Sequence, residues 1–357
     1  MLPEPKVRKV LIYRLGSLGD TIVALPCLHL IARMFPQAER TLLTNFPVHA
    51  KAPASAAVLG SSGLVDGYMR YNVGTRNVFE LFRLAWQIRR LRPDVLVYLM
   101  PVRPARNVRR DRLFFRLAGV RQILGLPGEE ELKNRFDPAT GLYESEAFRL
   151  ARTLQDLGDA APEKIANWDL HLTEAEREVA MRFLSAFAGR KLIACGPGCK
   201  MQANDWEQEN WRALLGRLYL KYPSYGLVMA GAQEDAAVCV YAAGNWAGAK
   251  VNLAGKLNPR ETAAVFRYAS VFIGPDSGPK HLAASMGTPC VCVFSARGLP
   301  GVWFPPGKGN QVVYHQTECC GCHLETCKVM AKKCIRSVTV DEMEQAVDKV
   351  LSRTEQL

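Results

Sequence analysis

Short strand-like runs alternate with longer amphipathic runs along the chain, and this alternation begins a second time near the middle. In the first half the strand-like runs include Val7–Tyr13, Arg40–Thr44 and Asp94–Met100. In the second half they include Leu192–Cys195 and Val271–Ile273. Apolar strands joined through helices are typical of parallel sheets covered by helices on both faces. The sequence therefore predicts an α/β protein with two Rossmann-like, doubly wound domains facing a central cleft.

The chain of 357 residues is long enough for two domains of ordinary size. We place the crossing between them in the stretch 158–175, so that the first domain covers 1–165 and the second covers 166–339. The sequence has no run of about 18 uncharged apolar residues, so no transmembrane helix is predicted. The apolar part of the N-terminus is too short for a signal peptide, and a cytoplasmic location is therefore expected.

Positive charge is concentrated in the first part of the chain. The formal net charge is +12, and residues 1–150 hold 23 Lys and Arg against 13 Asp and Glu. Most of this excess lies between Arg76 and Arg121, where 12 basic residues face 3 acidic ones. Such asymmetry indicates an anionic partner, and nucleic acid, a phosphorylated glycolipid and a membrane surface all qualify. The alternative is a solvated basic helix face without a partner.

The first strand-like run leads into a glycine turn that ends in an acid. The turn reads Leu-Gly-Ser-Leu-Gly-Asp, ends at Asp20 and precedes a helix-like run. Strand, glycine turn and helix form a common phosphate cradle, but a carboxylate at its end disfavours phosphate. Two interpretations remain open on the residues alone: Asp20 is a functional carboxylate, or it is only the N-cap of a helix that starts at Thr21.

A second turn of this kind occurs late in the chain, at residues 274–281. Asp276 or Ser277 can cap a helix that begins near Pro279, and unpaired N–H groups at such a start attract a diphosphate. Gly278 would let the backbone approach the ligand, and Lys280 and His281 would add charge or donors. The alternative is a capped helix with no ligand.

Three motifs in order resemble glycosyltransferase family 9, the heptosyltransferases of lipopolysaccharide synthesis. They are Ser17–Asp20, Asp276–His281 and a cysteine-bearing segment, residues 319–334, which we call the cysteine segment. The resemblance implies a GT-B fold with the acceptor on the first domain and the nucleotide sugar on the second. It also implies inversion at the sugar carbon without a required catalytic metal, and a C-terminal helix, within 340–357, that packs back on the first domain.

The resemblance assigns a role to the first turn. Asp20 would take the proton of the acceptor hydroxyl, with Gly16, Ser17 and Gly19 forming the loop on the acceptor side. The implied reaction moves heptose from ADP-heptose to an inner-core lipopolysaccharide acceptor. The alternatives are another nucleotide sugar, a capsular glycan or protein acceptor, or a non-catalytic nucleotide-sugar binder. The presence of both Asp20 and Asp276 argues against the binder.

Two further loops are candidates for donor binding. In the loop 196–211, Asn204 stands where many family members carry a lysine, and we expect Lys200 or Lys280 to supply that charge instead. After another strand end, Glu234 or Asp235 could bind a ribose or the donor sugar. The alternative for this acidic pair is that it only stabilises the start of a helix.

The basic stretch 101–120 is the candidate acceptor surface. Arg103, Arg106, Arg109 and Arg110 could bind the phosphates or carboxylates of an anionic glycolipid. Nucleic acid is not expected, because these arginines lack interleaved aromatic residues and no reader motif is present. Any contact with the inner membrane would be peripheral and electrostatic, at its cytoplasmic face. A dinucleotide dehydrogenase is disfavoured because the first turn lacks the G-x-G-x-x-G pattern.

Five of the eleven cysteines lie in the cysteine segment. Cys319, Cys322, Cys327 and Cys334 have ligand-like spacing for structural zinc or iron, with Cys320 and His323 as spare ligands. Free thiols are the main alternative, and disulfides are less favoured in a reducing compartment.

Overall fold

The computed structural model describes residues 7–45, 54–72, 74, 75, 77–187 and 189–354. It falls into two compact units that divide between His171 and Leu172. This division lies beyond the boundary predicted from the sequence, because the stretch before it is bound to the first unit. The His29 ring Nε2 lies 2.8 Å from the Asp169 carbonyl oxygen, and the His171 ring Nδ1 lies 2.7 Å from that of Ser62. Arg76, the start of the basic stretch, and residues 355–357 are outside the described residues.

The first unit is built on a five-stranded parallel sheet in the order β3-β2-β1-β4-β5. Its strands are β1 (Lys9–Tyr13), β2 (Glu39–Asn45), β3 (Gly67–Tyr71), β4 (Val95–Tyr98) and β5 (Gln122–Leu124), followed by the antiparallel pair β6 (Phe136–Asp137) and β7 (Leu142–Tyr143). Its helices are α1 (Leu18–Val23), α2 (Leu25–Met34), α3 (Ser55–Leu59), α4 (Val78–Leu91), α5 (Ala105–Leu117) and α6 (Glu146–Thr153). The strand order reverses between β1 and β4, the position where open α/β sheets bind ligands.

Apolar side chains on the helices fix this sheet from its faces. Leu84 and Ile88 of α4 and Phe115 of α5 pack with Leu11 of β1 and Leu96 of β4 in one buried cluster. Each such side chain contributes about 1.5–3 kcal/mol when it is fully buried. The packing places α4 and α5 on the same face of the sheet.

The second unit repeats the design with six parallel strands in the order β10-β9-β8-β11-β12-β13. Its strands are β8 (Leu192–Cys195), β9 (Gly226–Met229), β10 (Lys250–Asn252), β11 (Val271–Pro275), β12 (Cys290–Phe294) and β13 (Gln311–Tyr314). Its helices are α7 (Glu174–Leu184), α8 (Gln208–Lys221), α9 (Ala236–Ala242), α10 (Pro259–Phe266), α11 (Gly278–Ser285), α12 (Lys333–Arg336) and α13 (Val340–Thr354). Both units are doubly wound α/β structures, as the sequence predicts.

The C-terminal helix α13 differs from its prediction. We expected residues 340–357 to pack back on the first domain, but the apolar face of α13 is buried in the second unit. Met343, Val347 and Leu351 lie in the core cluster of that unit, with residues of β8, β11 and α8. At the rim, the Tyr222 hydroxyl donates to Asp348 Oδ1 at 2.7 Å. The physical reason is that one apolar stripe on α13 is matched to the strands and to α8.

No helix in the described parts of the chain combines the length and the apolar character needed to cross a bilayer.

Candidate functional site

The turn after β1 is closed by Asp20. Helix α1 begins at Leu18 with Ser17 as its N-cap, so the interpretation of Asp20 as the N-cap is wrong. Asp20 is the third helical residue, and its Oδ2 accepts hydrogen bonds from the Ser17 backbone N–H (2.8 Å) and hydroxyl (3.1 Å). This is the carboxylate half of a capping box. Gly16, at a φ of 147°, is required because a Cβ there would lie 2.2 Å from the Asp20 Cβ. Gly19 is buried inside α1.

Arg14 lies behind this turn and is almost fully buried. Its Nε and Nη2 donate to the main-chain oxygen of Asp20 at 3.0 and 2.7 Å, and its Nη1 donates to that of Leu99 at 2.9 Å. The carboxylate is farther away, with 3.6 Å between Arg14 Nη2 and Asp20 Oδ1. Burial lowers the pKa of Arg14, against the pull of the nearby Asp20 and Glu146 carboxylates. Arg14 therefore fixes the backbone of the turn, while the Asp20 side chain stays 23% exposed.

A buried ion network extends from Arg14 to helix α6. Glu146 Oε1 lies 3.8 Å from Arg14 Nη1 and accepts from Arg149 Nη2 at 2.7 Å. Arg149 Nη2 also donates to the Met100 carbonyl at 2.7 Å, and its Nε donates to Glu146 Oε2 at 2.8 Å. Sequence reasoning missed this network. Its signal is an arginine at the end of an apolar strand and a Glu–Arg pair spaced i, i+3 on α6.

The candidate acceptor arginines fall into two groups. Arg103 Nη1 lies 2.5 Å from Asp111 Oδ2, and Arg110 Nη2 lies 2.9 Å from Asp111 Oδ1. Arg106 and Arg109 are exposed. The structure thus brings Arg103 and Arg110 together around a buried carboxylate. Among the residues that the structure describes, Arg103 Nε is buried without a hydrogen-bond partner.

Two tyrosines complete this arginine group. The Tyr98 hydroxyl donates to Asp111 Oδ2 at 3.0 Å, and the Tyr13 ring packs edge-on against the Tyr98 ring with 5.6 Å between centroids. Burial, with Asp111 as the next cause, raises the pKa of Tyr13 and of Tyr98 far above the usual range. Both phenols are therefore neutral. Because successive residues at the end of β1 point to opposite faces, Tyr13 faces this group and Arg14 faces Asp20.

In the second unit, the turn after β11 carries Asp276 and the buried Lys280. Helix α11 begins at Gly278 with Ser277 as its N-cap. Lys280 Nζ lies 2.6 Å from Asp276 Oδ1, donates to the carbonyl of Trp303, and lies 4.3 Å from the ring centroid of Phe294. The ammonium charge of Lys280 is therefore paired with Asp276 inside the protein.

Asn204 lies against the same turn. Its Nδ2 donates to the Asp276 main-chain oxygen at 3.0 Å, and its Oδ1 accepts from the Ser295 hydroxyl at 2.6 Å. Asn204 thus links its loop to the turn after β11, and a lysine at that position could not accept the hydrogen bond from Ser295. Lys200 is exposed on the loop that leads to Asn204. The structure brings Asn204, Asp276 and Lys280 together and leaves Lys200 outside their hydrogen bonds.

Two polar groups at the start of α11 are buried without a partner. Within the described ranges, the Ser277 hydroxyl and the His281 Nδ1 have no hydrogen-bond partner. Burial, and then the charge of Lys280, hold the pKa of His281 well below its usual value, so its ring is neutral at pH 7. Unsatisfied buried polar groups beside a helix N-terminus are what an anionic ligand would complete.

A small pocket opens beside this turn. It is lined by, among others, Asp276, Ser295, Trp303, Phe304, Tyr314 and Cys320.

The other predicted acids lie on the turn after β9. The Asp235 carboxylate accepts from the Ala232 backbone N–H at 2.9 Å and packs over Gly198, where a Cβ would lie 2.2 Å from its Cγ. Glu234 is exposed.

The cysteine segment does not assemble the predicted metal site. In the part of the chain that the structure describes, no group of three or more His, Cys, Asp or Glu side chains could hold a metal ion. Cys319, Cys322, Cys327 and Cys334 are free thiols. Backbone N–H groups donate hydrogen bonds to the Cys327 sulfur. The N–H of Lys332, 3.3 Å away, and those of residues 329 and 330 lower the pKa of this thiol.

The same segment binds the candidate donor loop 196–211 and the loop that follows β12. The Gly321 N–H donates to the Ala296 carbonyl at 2.8 Å, and the Cys327 N–H donates to the Gln202 side chain at 3.0 Å. Lys332 Nζ donates to the main-chain oxygen of Asp205 at 3.0 Å. The observed role of the cysteine segment is therefore to anchor these loops.

Comparison with known proteins identifies the family. The family model described as glycosyltransferase family 9 (heptosyltransferase) matches residues 145–333, just over half of the chain. The chain belongs to this family, as its motifs indicated.

Individual relatives agree with this assignment. Lipopolysaccharide heptosyltransferase 3 of Escherichia coli is 27% identical over 132 residues, which are 36% of this chain and 38% of that protein's length. A glycosyl transferase family 9 structure from Veillonella parvula DSM 2008 superposes with a TM-score of 0.71 at 17% identity, covering 98% of this chain and 99% of the other. The E. coli heptosyltransferase WaaC with ADP-2-deoxy-2-fluoro heptose gives 0.63 at 16% identity, covering 96% and 99%. The structural matches confirm the predicted GT-B class of α/β fold.

Proposed function

We propose that this protein is an inverting glycosyltransferase that moves heptose from ADP-heptose to an inner-core lipopolysaccharide acceptor. The observation that carries the proposal is Asp20, a partly exposed carboxylate on a turn whose backbone is bound by a buried arginine, in a chain of glycosyltransferase family 9. A relative that was solved with an ADP-heptose analogue supports the choice of donor. The proposal puts the enzyme in the cytoplasm.

In the proposed reaction, Asp20 accepts a proton. The acceptor hydroxyl attacks C1 of the donor sugar, its O–H bond breaks, and the proton passes to Asp20. A new C1–O bond forms on the opposite side from the leaving diphosphate, which departs with the electron pair of the old C1–O bond. Oδ1 is the better placed oxygen, because Oδ2 already accepts two hydrogen bonds from Ser17. General-base catalysis of this kind contributes about 10²- to 10⁴-fold.

On the donor side, we propose that the start of α11 binds the diphosphate. Backbone N–H groups at Gly278 and beyond, together with the buried Ser277 and His281 groups, would complete their hydrogen bonds on its oxygens. Lys280 would act through Asp276, which it neutralises, so that the turn does not repel an anion. Lys200 is then the candidate for the charge that Asn204 does not supply. Glu234 is proposed to reach the ribose or the sugar.

On the acceptor side, the exposed Arg106 and Arg109 are proposed to bind the acidic core of the glycolipid. Arg103 and Arg110 already form ion pairs with Asp111 and would bind the acceptor with their remaining N–H groups. A guanidinium suits both phosphate and carboxylate because its donors form a planar fork.

A nucleotide panel tests the donor. Melting temperatures would be measured with ADP, UDP, GDP, CDP and a single-stranded oligonucleotide. We expect ADP to raise the melting temperature, because a ligand at a hundredfold excess over its Kd stabilises the folded state by about 2.7 kcal/mol. Lys200→Ala should weaken this shift, and Lys256→Ala, another surface lysine in the same unit, is the matched control.

The other outcomes have distinct meanings. A shift with a different nucleoside diphosphate would contradict the ADP donor and keep the mechanism with another sugar. ADP binding without transfer from ADP-heptose to lipopolysaccharide, capsular or protein acceptors would favour the non-catalytic binder. A shift with the oligonucleotide alone would overturn the proposal.

A further inference from the structure

Helix α4 carries aromatic side chains on its outer face. Leu84 and Ile88 bury the inner face in the core of the first unit, as described above. On the outer face, Phe79, Phe82 and Trp86 are 86%, 74% and 53% exposed. Their spacing of three and four residues places them in one stripe along the helix. A stripe of three exposed aromatic residues is not explained by the fold, because exposed apolar residues on a protein surface are ordinarily isolated.

Helix α5 adds exposed apolar residues of its own. It contacts α4 and packs on the same sheet face through Phe115, and its outward-facing Leu113 and Leu117 are exposed. We call the outer surfaces of these two helices the α4–α5 face. The two helices therefore present an apolar surface that the described residues of the unit leave uncovered.

The α4–α5 face is also strongly basic. Exposed arginines lie between and beside the apolar residues, and the Arg90 guanidinium lies 5.5 Å from the Trp86 ring centroid. They are Arg83, Arg89 and Arg90 on α4 and Arg106, Arg109, Arg112 and Arg116 on α5. Of the two acids on these helices, Asp111 is buried among arginines and Glu80 lies at the start of α4. The occupant of this face must therefore be both anionic and able to accept apolar side chains.

We propose that the α4–α5 face docks on the surface of an anionic phospholipid bilayer. Phe79, Phe82 and Trp86 would enter the boundary between headgroups and acyl chains. The arginines other than Arg106 and Arg109, which the proposed function assigns to the acceptor, would bind lipid phosphates. A second copy of the chain fits less well, because two such faces would bring like charges together. Nucleic acid would pair with the arginines and stack on the aromatic rings, but it leaves Leu113 and Leu117 without a partner.

The position of this face relates it to Asp20. Helices α4 and α5 follow β3 and β4, so their first turns lie at the carboxyl edge of the same parallel sheet as the Asp20 turn. Docking would keep that edge near the membrane surface, where a lipid-linked acceptor would lie. The docking itself does not depend on the proposed transfer reaction.

Vesicle binding by the full chain tests this inference. Sedimentation would be compared for vesicles of phosphatidylethanolamine with 30% phosphatidylglycerol and for pure phosphatidylcholine vesicles, at about 0.1 and 0.5 M salt. We expect binding to the anionic vesicles alone, weakened at high salt. Combined Phe79→Ser and Phe82→Ser should weaken it at least tenfold, and combined Arg83→Gln and Arg112→Gln should do the same. Leu220→Ser and Val240→Ser, at exposed apolar positions of the second unit, are the matched controls.

Tryptophan emission provides a second readout. Of the six tryptophans, Trp86 is the exposed one, while the others are buried or half-buried. Anionic vesicles should shift the emission to shorter wavelength, and Trp86→Phe should abolish this shift while vesicle binding persists.

Equal vesicle binding by the wild type and by the Phe79/Phe82 variant would overturn the inference. So would an oligonucleotide that binds this face more tightly than the vesicles, or loss of a dimer in the variant without any lipid. None of these results changes the ADP shift, so failure of the docking inference is distinguishable from failure of the proposed function.

Discussion

The turn after β1 and the turn after β11 both place an aspartate beside a buried cation, but the two cations bind differently. Arg14 binds the main-chain oxygen of Asp20 at 2.7 Å and stays 3.6 Å from its carboxylate. Lys280 binds the carboxylate of Asp276 directly, at 2.6 Å. The first turn therefore keeps a carboxylate that can accept a proton, whereas the second neutralises its own acid beside a helix N-terminus. One strand–turn–helix motif thus carries two different arrangements of an aspartate and a cation.

The largest effect is expected when the first turn loses its charge. Asp20→Asn keeps an oxygen for the Ser17 N–H but cannot accept the proton. We expect kcat to fall by about 10²- to 10⁴-fold while the ADP-induced melting shift is unchanged. Asp66→Asn, which alters a carboxylate bound to Arg40 elsewhere in the first unit, should keep its activity. An Asp20→Asn enzyme with near-normal kcat would show that the two turns do not differ in this way.

The second turn should respond to Lys280→Met in its stability. Removal of one partner leaves Asp276 half-enclosed and unpaired, which costs about 3–5 kcal/mol for a buried pair. Urea unfolding measures the loss, and Asp276→Asn in the same chain should restore part of it. Lys221→Met, at an exposed pair with Asp348, should have a much smaller effect. Equal losses for the two lysine variants would contradict the role of Lys280.

Arg14→Lys tests whether the buried arginine positions the first turn. A lysine keeps the charge but cannot bind the Asp20 and Leu99 main-chain oxygens together, so the turn should shift. Misplacement by about 1 Å can cost up to 10²-fold in rate, and we expect kcat to fall by about 10- to 100-fold with the donor KM unchanged. Arg40→Lys is the control. A rise in donor KM with normal kcat would show that Arg14 does not position Asp20.

The smallest expected effect is a pH dependence of the free energy of unfolding, caused by His281 in the helix after the second turn. The folded pKa of His281 lies well below 6.5, so at pH 7 the ring is neutral in both the folded and the unfolded chain. Below about pH 6.5 the unfolded chain takes up the proton first, and the free energy of unfolding falls by up to about 1.4 kcal/mol per pH unit until the folded pKa is reached. His281→Gln should flatten this fall between pH 6.5 and 5. Parallel curves for the two proteins would contradict the assignment.

Local sequence patterns predicted the elements well where a strand or helix is set by its own residues. The strand Leu192–Cys195 has the predicted bounds. The sequence indicates one helix-like run after Asp20, but the structure has α1 and α2, divided at Ala24 just before Pro26. Strand β13 was missed because its four residues are half-buried and carry no strong alternation.

The site residues that lie within one short sequence motif could be predicted. Asp20, Ser277 and His281 lie in short motifs that can be recognised by eye. The Arg14–Glu146–Arg149 network could not be predicted, because Arg14 is more than a hundred residues away from the Glu146–Arg149 pair and meets it only through folding. The apolar residues of α4 have a helical spacing, but this spacing does not reveal that the aromatic residues face outward.

The anchoring of the cysteine segment has a consequence for local opening. The Ala203 N–H donates to the Glu325 carbonyl at 3.0 Å, and the Gly321 N–H donates to that of Ala296 at 2.8 Å. The donor loop 196–211 and the loop after β12 therefore share one support, and neither can detach without disturbing it. In hydrogen exchange, the amides of the two loops should lose protection together as one cooperative unit. A nucleotide that binds at either loop would then slow exchange at both, including at amides it does not touch.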